Sequence, residues 1–184
     1  PVMAYLERCL EIDWPELKVR VSSVSERWGG MAVAGPDARA TLIAAFPSVD
    51  FSNEAFPFMG VVHAEHNGAK LILLRISFSG EMAFEVYAEA EHATDIWQTI
   101  IDAGQVHDIV PYGLETLGAL RIEKGHVTGA ELDGRVTLGD VHMDGMASKK
   151  KWFVGKNLKD REGLVHPDRP QLVGLKSVDP RTPI

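Results

Sequence analysis

The chain has 184 residues, 45% of them hydrophobic, which is enough apolar material for one globular domain with a real core. A formal net charge of −7 works against bulk attraction to nucleic acid or to an anionic membrane surface, because the long-range field repels phosphate. The single cysteine, Cys9, excludes an internal disulfide or a cysteine cage for a metal and suits a reducing compartment, so the chain reads as cytoplasmic.

No stretch approaches the roughly 20 apolar residues that span a bilayer. The opening PVMAYLERCLEIDW is acidic where a secretion signal is basic and then apolar. The first residue is Pro1, and the closing QLVGLKSVDPRTPI begins a strand-like run with nothing to pair against. The chain therefore reads as a piece of a longer protein, with residues 1–168 in one domain and residues 169–184 at the start of a truncated C-terminal β domain.

In chain order, residues 19–34 are rich in Val, Trp and small side chains, which predicts strand structure broken near Gly29-Gly30. Pro36 and Asp37 suit the first turn of a helix, predicted over residues 36–46 and packed through Leu42, Ile43 and Phe46. Residues 58–66 and 69–78 flank Asn67-Gly68, the dipeptide of a two-residue hairpin turn. Both faces of the second arm are apolar up to Arg75, as in a central strand, with Ile72, Leu74, Ile76 and Phe78 on one face. A third strand over residues 82–88 places Glu85 on the same face as Tyr87. Ala93, Ile96, Trp97, Ile100 and Gly104 fall at helical spacing, and a further helix runs from Leu114 to Lys124, stopping at Gly125. Residues 126–146 read as Gly- and Asp-rich loops with short strands. This order predicts an α+β fold with a ferredoxin-like module.

Seven histidines invite a metal site, and HAEH at residues 63–66 is the tightest group. Residues three apart on a strand point to opposite faces, so His63 and His66 do not converge on one ion, and no metal is expected. Neither a Walker loop nor a dinucleotide fingerprint is present, so the chain itself is expected to hold no nucleotide. Cys9 lacks the setting of a nucleophile. The run Lys149-Lys150-Lys151 before Trp152-Phe153 offers cations and aromatics to an anionic tail such as polyglutamate, against the plainer reading of a solvated loop. Two carboxylates stand out in RISFSGEMAFE, residues 75–85. Glu81 reads as a turn charge, whereas Glu85 lies inside a strand, where an acid is disfavoured unless the position is exposed or occupied.

RISFSGEMAFE is similar to a segment of the aminomethyltransferase (glycine-cleavage T-protein) superfamily that runs Arg, two residues, an aromatic, one residue, Gly-Glu and a short run ending in Glu. VSSVSERWGGMAVAGPDAR, IVPYGLETLGALRIEKGH, ELDGRVTLGD and SKKKWFVGKNL agree as well, so the resemblance spans residues 21–158. Within the superfamily the chain most resembles the folate-binding C-terminal region of the heterotetrameric sarcosine oxidase alpha subunit. Leu117, where T-proteins typically carry arginine, points to the same branch.

The resemblance implies that Glu85 holds the pterin of tetrahydrofolate, with Phe78 beside it and Glu81 and Arg121 in the same candidate set. Family members often carry tyrosine at the position of Phe78. A pterin presents an amino group and a ring N–H side by side, which one carboxylate accepts as a fork. By the same resemblance, sarcosine is oxidised at a flavin held mainly elsewhere, and tetrahydrofolate captures the one-carbon unit as 5,10-methylenetetrahydrofolate. FAD, FMN and NAD would belong to the intact complex, whose beta, gamma and delta subunits are the expected partners. Catalytic residues stay unassigned and the isolated chain is expected to be inactive. The alternatives are a non-catalytic scaffold between subunits and a T-protein fragment working with a lipoyl carrier.

Overall fold

Four strands, β1 (Trp28–Ala34), β2 (Val61–His66), β3 (Ala69–Leu74) and β4 (Ala83–Glu89), form one antiparallel sheet in the order β1-β4-β3-β2. The computed structural model describes residues 2–179, in two units, Pro1–Gly113 and Leu114–Ile184. The sheet lies in the first unit with helices α1 (Val2–Arg8), α2 (Ala38–Ala45) and α3 (Ala93–Gly104); α4 (Leu114–Lys124) opens the second. Helices on an antiparallel sheet make this the expected α+β fold.

Asn67 and Gly68 take φ of 51° and 86° and close the β2–β3 hairpin with His66 opposite Ala69, as the turn chemistry predicts. Side-chain alternation then divides the sheet into two faces. On the inner face Leu71, Leu73, Phe84, Val86 and Val33 pack under Leu42, Phe46, Ile96 and Ile100 from α2 and α3. Phe51, Phe56 and Phe84 form an aromatic triangle, with Phe51 and Phe84 edge-to-face at 5.5 Å. Burying each of these large side chains contributes about 1.5–3 kcal/mol before the entropy of ordering it.

Several expectations change. Residues 19–24 form no strand, and Ser25–Arg27 is a 3-10 turn. β1 begins at Trp28 and runs through Gly29-Gly30, where the glycines serve close packing: a Cβ on Gly29 would sit 2.4 Å from Ala93 Cβ at the start of α3. α2 starts two residues later than predicted, and Ile43 is exposed because it lies away from the sheet on a helix of only two turns.

β3 stops at Leu74, short of the predicted Phe78. The Arg75 backbone N–H still donates to Gly60, but its guanidinium turns to the Phe56 carbonyl and to Asn53 Oδ1, both at 2.9 Å. That diversion ends regular pairing and leaves residues 75–82 as an irregular link into β4. Ile76 and Phe78 therefore do not continue the alternation of Ile72 and Leu74.

The second unit is built differently. The buried apolar cluster lies wholly in the first unit, and α4 buries no residue fully. Among the described residues the second unit contains no strand, so the short strands predicted within residues 126–146 are turns. Ion pairs organise it: Arg121 meets Glu131 at 2.7 Å, and Arg169 grips the buried Asp140, which also accepts the Thr137 N–H at 2.8 Å. Leu172 donates to the Asp140 carbonyl at 2.7 Å, tying the start of the predicted terminal strand to this loop. Residues 180–184 of that run lie outside the described residues.

Candidate functional site

The outer face of the sheet carries two cross-strand rows. One runs Ala32, Glu85, Leu74, Val61; the next runs Gly30, Tyr87, Ile72, His63. Strand period 2 dictates both, since each row takes alternate residues from four paired strands. Val61 is 55% exposed, whereas Ile72, Leu74, Glu85 and Tyr87 are half-buried. Apart from His63 on the edge strand, an apolar platform thus presents a carboxylate and a phenol near its centre.

The Tyr87 hydroxyl donates to Glu85 Oε2 at 2.7 Å. This bond to the carboxylate, with partial burial and the nearby negative charge, holds the Tyr87 phenol above its ordinary value. Among the described residues, Tyr87 is the side chain that hydrogen-bonds Glu85. A carboxylate offers about four acceptor sites, so both oxygens keep capacity for donors from a ligand.

The other predicted residues are placed differently. Phe78 is half-buried in the 75–82 link, and Glu81 is exposed in the same link. Gly80, at φ 93°, donates to Ser77 Oγ at 2.9 Å and shapes the turn between them. Arg121 belongs to the second unit, where Glu131 and the His126 carbonyl engage it. The Arg121 hydrogen bond, helped by Thr128, holds Glu131 down to about 2. The structure therefore joins Glu85 with Tyr87 and gives Arg121 a partner within its own unit.

Sequence reasoning placed Tyr87 beside Glu85 but gave its hydroxyl no role. It also missed a brace on the link. Arg39 donates to Asn53 Oδ1 at 2.8 Å, the same oxygen that Arg75 uses, and touches Met82 Sδ at 3.7 Å. Two arginines thus hold both ends of residues 75–82. The signal was Arg75 itself, a cation ending an apolar strand.

The remaining candidates form no convincing centre. His63 points outward, while His66 packs edge-on to Phe46 at 5.2 Å, in keeping with opposite faces. Glu89, Glu91 and His92 bring potential ligand atoms within 4.8 Å of one another, but Glu89 already accepts from Lys70 N and Nζ, and Glu91 is exposed. Lys149, Lys150 and Lys151 are exposed, and the ammonium over Phe153, at 5.9 Å, belongs to Lys156. Lys149 and Phe153 line an open cavity of about 840 Å³ in the second unit. Its other lysines and its arginine are engaged, Lys156 by the carbonyls of residues 149 and 151, Lys159 by Asp160 and Arg169 by Asp140. Among the described residues no helix is long and apolar enough to cross a membrane.

Comparison with known proteins follows the same lines. The chain is 45% identical over 183 residues to sarcosine oxidase subunit alpha of Rhizobium meliloti (strain 1021), a match covering 98% of this chain and 18% of the relative. It is 42% identical over 180 residues to sarcosine oxidase subunit alpha of Corynebacterium sp. (strain U-96), covering 97% and 19%. The aminomethyltransferase of Staphylococcus haemolyticus (strain JCSC1435) is 33% identical over 169 residues, covering 90% and 44%. The chain thus spans about a fifth of the length of these sarcosine oxidase relatives. The family described as the GCVT N-terminal domain matches residues 1–151, well over half of the chain, and the chain belongs to that family.

Proposed function

We propose that this chain is the tetrahydrofolate-binding portion of a sarcosine oxidase alpha subunit, with Glu85 as the group that holds the pterin. The observation that carries this reading is the half-buried Glu85 carboxylate on an apolar sheet face, hydrogen-bonded by Tyr87 and retaining acceptor capacity. A flat heterocycle with two adjacent N–H donors is the complement of such a face. The charge-assisted fork supplies specificity, and Leu74 and Ile72 supply apolar contact. Phe78 and Glu81 would border the ligand from the link, and Arg121 stays in the proposed folate set by resemblance alone.

The chain's own task would be binding and positioning. Holding the folate amine where the carbon of oxidised sarcosine is released turns an encounter into a near-intramolecular step and yields 5,10-methylenetetrahydrofolate. Flavin and NAD would sit in the rest of a cytoplasmic assembly with beta, gamma and delta subunits. Residues 1–168 would form part of the folate domain.

Titrating the full-length protein with tetrahydrofolate tests this reading. Saturable binding together with capture of the sarcosine carbon as methylenetetrahydrofolate is expected. Sarcosine oxidation with no folate binding would support an inter-subunit scaffold instead. The 33% match to an aminomethyltransferase favours a second reading, methylene transfer from a lipoyl carrier, which a carrier-dependent assay would reveal.

A further inference from the structure

We propose that Tyr87 is the positioning residue of this site: its hydroxyl fixes the plane of the Glu85 carboxylate, and Gly30 on β1 provides the space that the ring needs to do so. The inference rests on the folate reading of Glu85 and adds to it the residues that orient the carboxylate.

The terminal torsion of a glutamate is broad and roughly two-fold, so a strand glutamate facing solvent presents no single acceptor plane. A hydroxyl at 2.7 Å from Oε2 selects one. The neighbours of Glu85 in its row, Ala32 and Leu74, offer no competing side-chain donor. Tyr87 occupies one of about four acceptor sites on the carboxylate. The rest of Oε2 and all of Oε1 stay available for a ligand with two donors in one plane, so the tyrosine orients the fork without filling it.

Gly30 lies opposite Tyr87 in the β1–β4 register. A Cβ there would stand 2.8 Å from Tyr87 Cε1 and 3.1 Å from Cδ1, so any other residue would push the ring aside. A glycine inside a strand is otherwise a weak choice, because it adds backbone entropy and has no side chain to pack. Packing of an aromatic ring over a strand glycine accounts for the ring position alone. It does not account for a hydroxyl aimed at the one carboxylate in the two rows.

The test is a double-mutant cycle in the full-length protein, with 5-formyltetrahydrofolate, a stable reduced folate, as the calorimetric probe. Tyr87→Phe should weaken binding about 5- to 20-fold, the range of one lost charge-assisted bond acting through its acceptor. Because Tyr87 acts through Glu85, adding Tyr87→Phe to Glu85→Gln should change affinity by less than about twofold. Gly30→Ala alters neither polar group yet should weaken binding by a factor like that of Tyr87→Phe. It should cost nothing more in a Tyr87→Ala background, where the ring is gone. Losses that add in the double variant would make Tyr87 an independent packing residue and overturn the proposal. Parental affinity in Tyr87→Phe, with Glu85→Gln still impaired, would overturn it while leaving the folate reading intact. Parental affinity in Glu85→Gln would overturn both.

Discussion

Tyr87 and Glu85, two residues apart on the outer face of β4, are joined by a 2.7 Å hydrogen bond in which the phenol donates, and that bond holds the phenol above its ordinary value of 10.0. A group whose value is raised on folding contributes stability that is fully present below its unfolded value and lost as pH rises through its folded value. Ultraviolet titration of the parent against Tyr87→Phe should therefore show Tyr87 ionising above pH 10.0. Glu85→Gln should bring that titration down, since it removes the largest cause of the shift. An unchanged titration would mean that the bond does not persist in solution.

Arg75 should matter through its link. Arg75→Met removes the bonds to the Phe56 carbonyl and to Asn53, which should cost about 1–3 kcal/mol in urea unfolding. Hydrogen exchange should quicken at residues 75–82 more than along β3. Uniform acceleration over the whole sheet would contradict a local bracing role.

The inner face sets stability, so Phe84→Ala should destabilise by about 3–5 kcal/mol, the usual cost of emptying a buried aromatic site. Ile43→Ala, on the exposed side of α2, should change stability by less than about 1 kcal/mol. Denaturant midpoints for the pair check the orientation of α2 directly.

In the second unit Glu131 is held at about 2, below its ordinary 4.5, mainly by Arg121. For a depressed carboxyl the contribution is present above the unfolded value and lost as pH falls through the folded one. Amide protection around residues 121–131 should therefore weaken between about pH 4.5 and 2. Glu131→Gln should flatten that dependence. A flat profile in the parent would show that the Arg121–Glu131 pair is not coupled to folding of this segment.

Local signals made much of the first unit legible. Asn67-Gly68 specified the hairpin, the spacing from Ala93 to Gly104 specified α3, and alternation in residues 82–88 put Glu85 and Tyr87 on one face. Long-range choices were not legible. Nothing near Trp28 announces that β1 pairs with β4, and Gly29-Gly30 looked like a strand break because the bodies that fill their space, Ala93 and Tyr87, lie about sixty residues away. The end of β3 was equally hidden, because the acceptors that draw Arg75 aside, Asn53 and the Phe56 carbonyl, come from a different loop. The partner of Arg121 was missed for a similar reason, since an ion pair across a turn leaves no periodic trace.

The most direct measurement is the affinity of the full-length protein for tetrahydrofolate in the parent, Glu85→Gln and Glu81→Gln. Glutamine keeps the shape of Glu85 but replaces an acceptor with a donor, which should cost roughly 2–4 kcal/mol once a bound pterin covers this half-buried position. Binding should weaken by about 30-fold or more in Glu85→Gln. Exposed Glu81 should give a much smaller change. Equal affinity in the parent and Glu85→Gln would contradict the assignment and make this carboxylate a half-buried strand acid satisfied by Tyr87 alone.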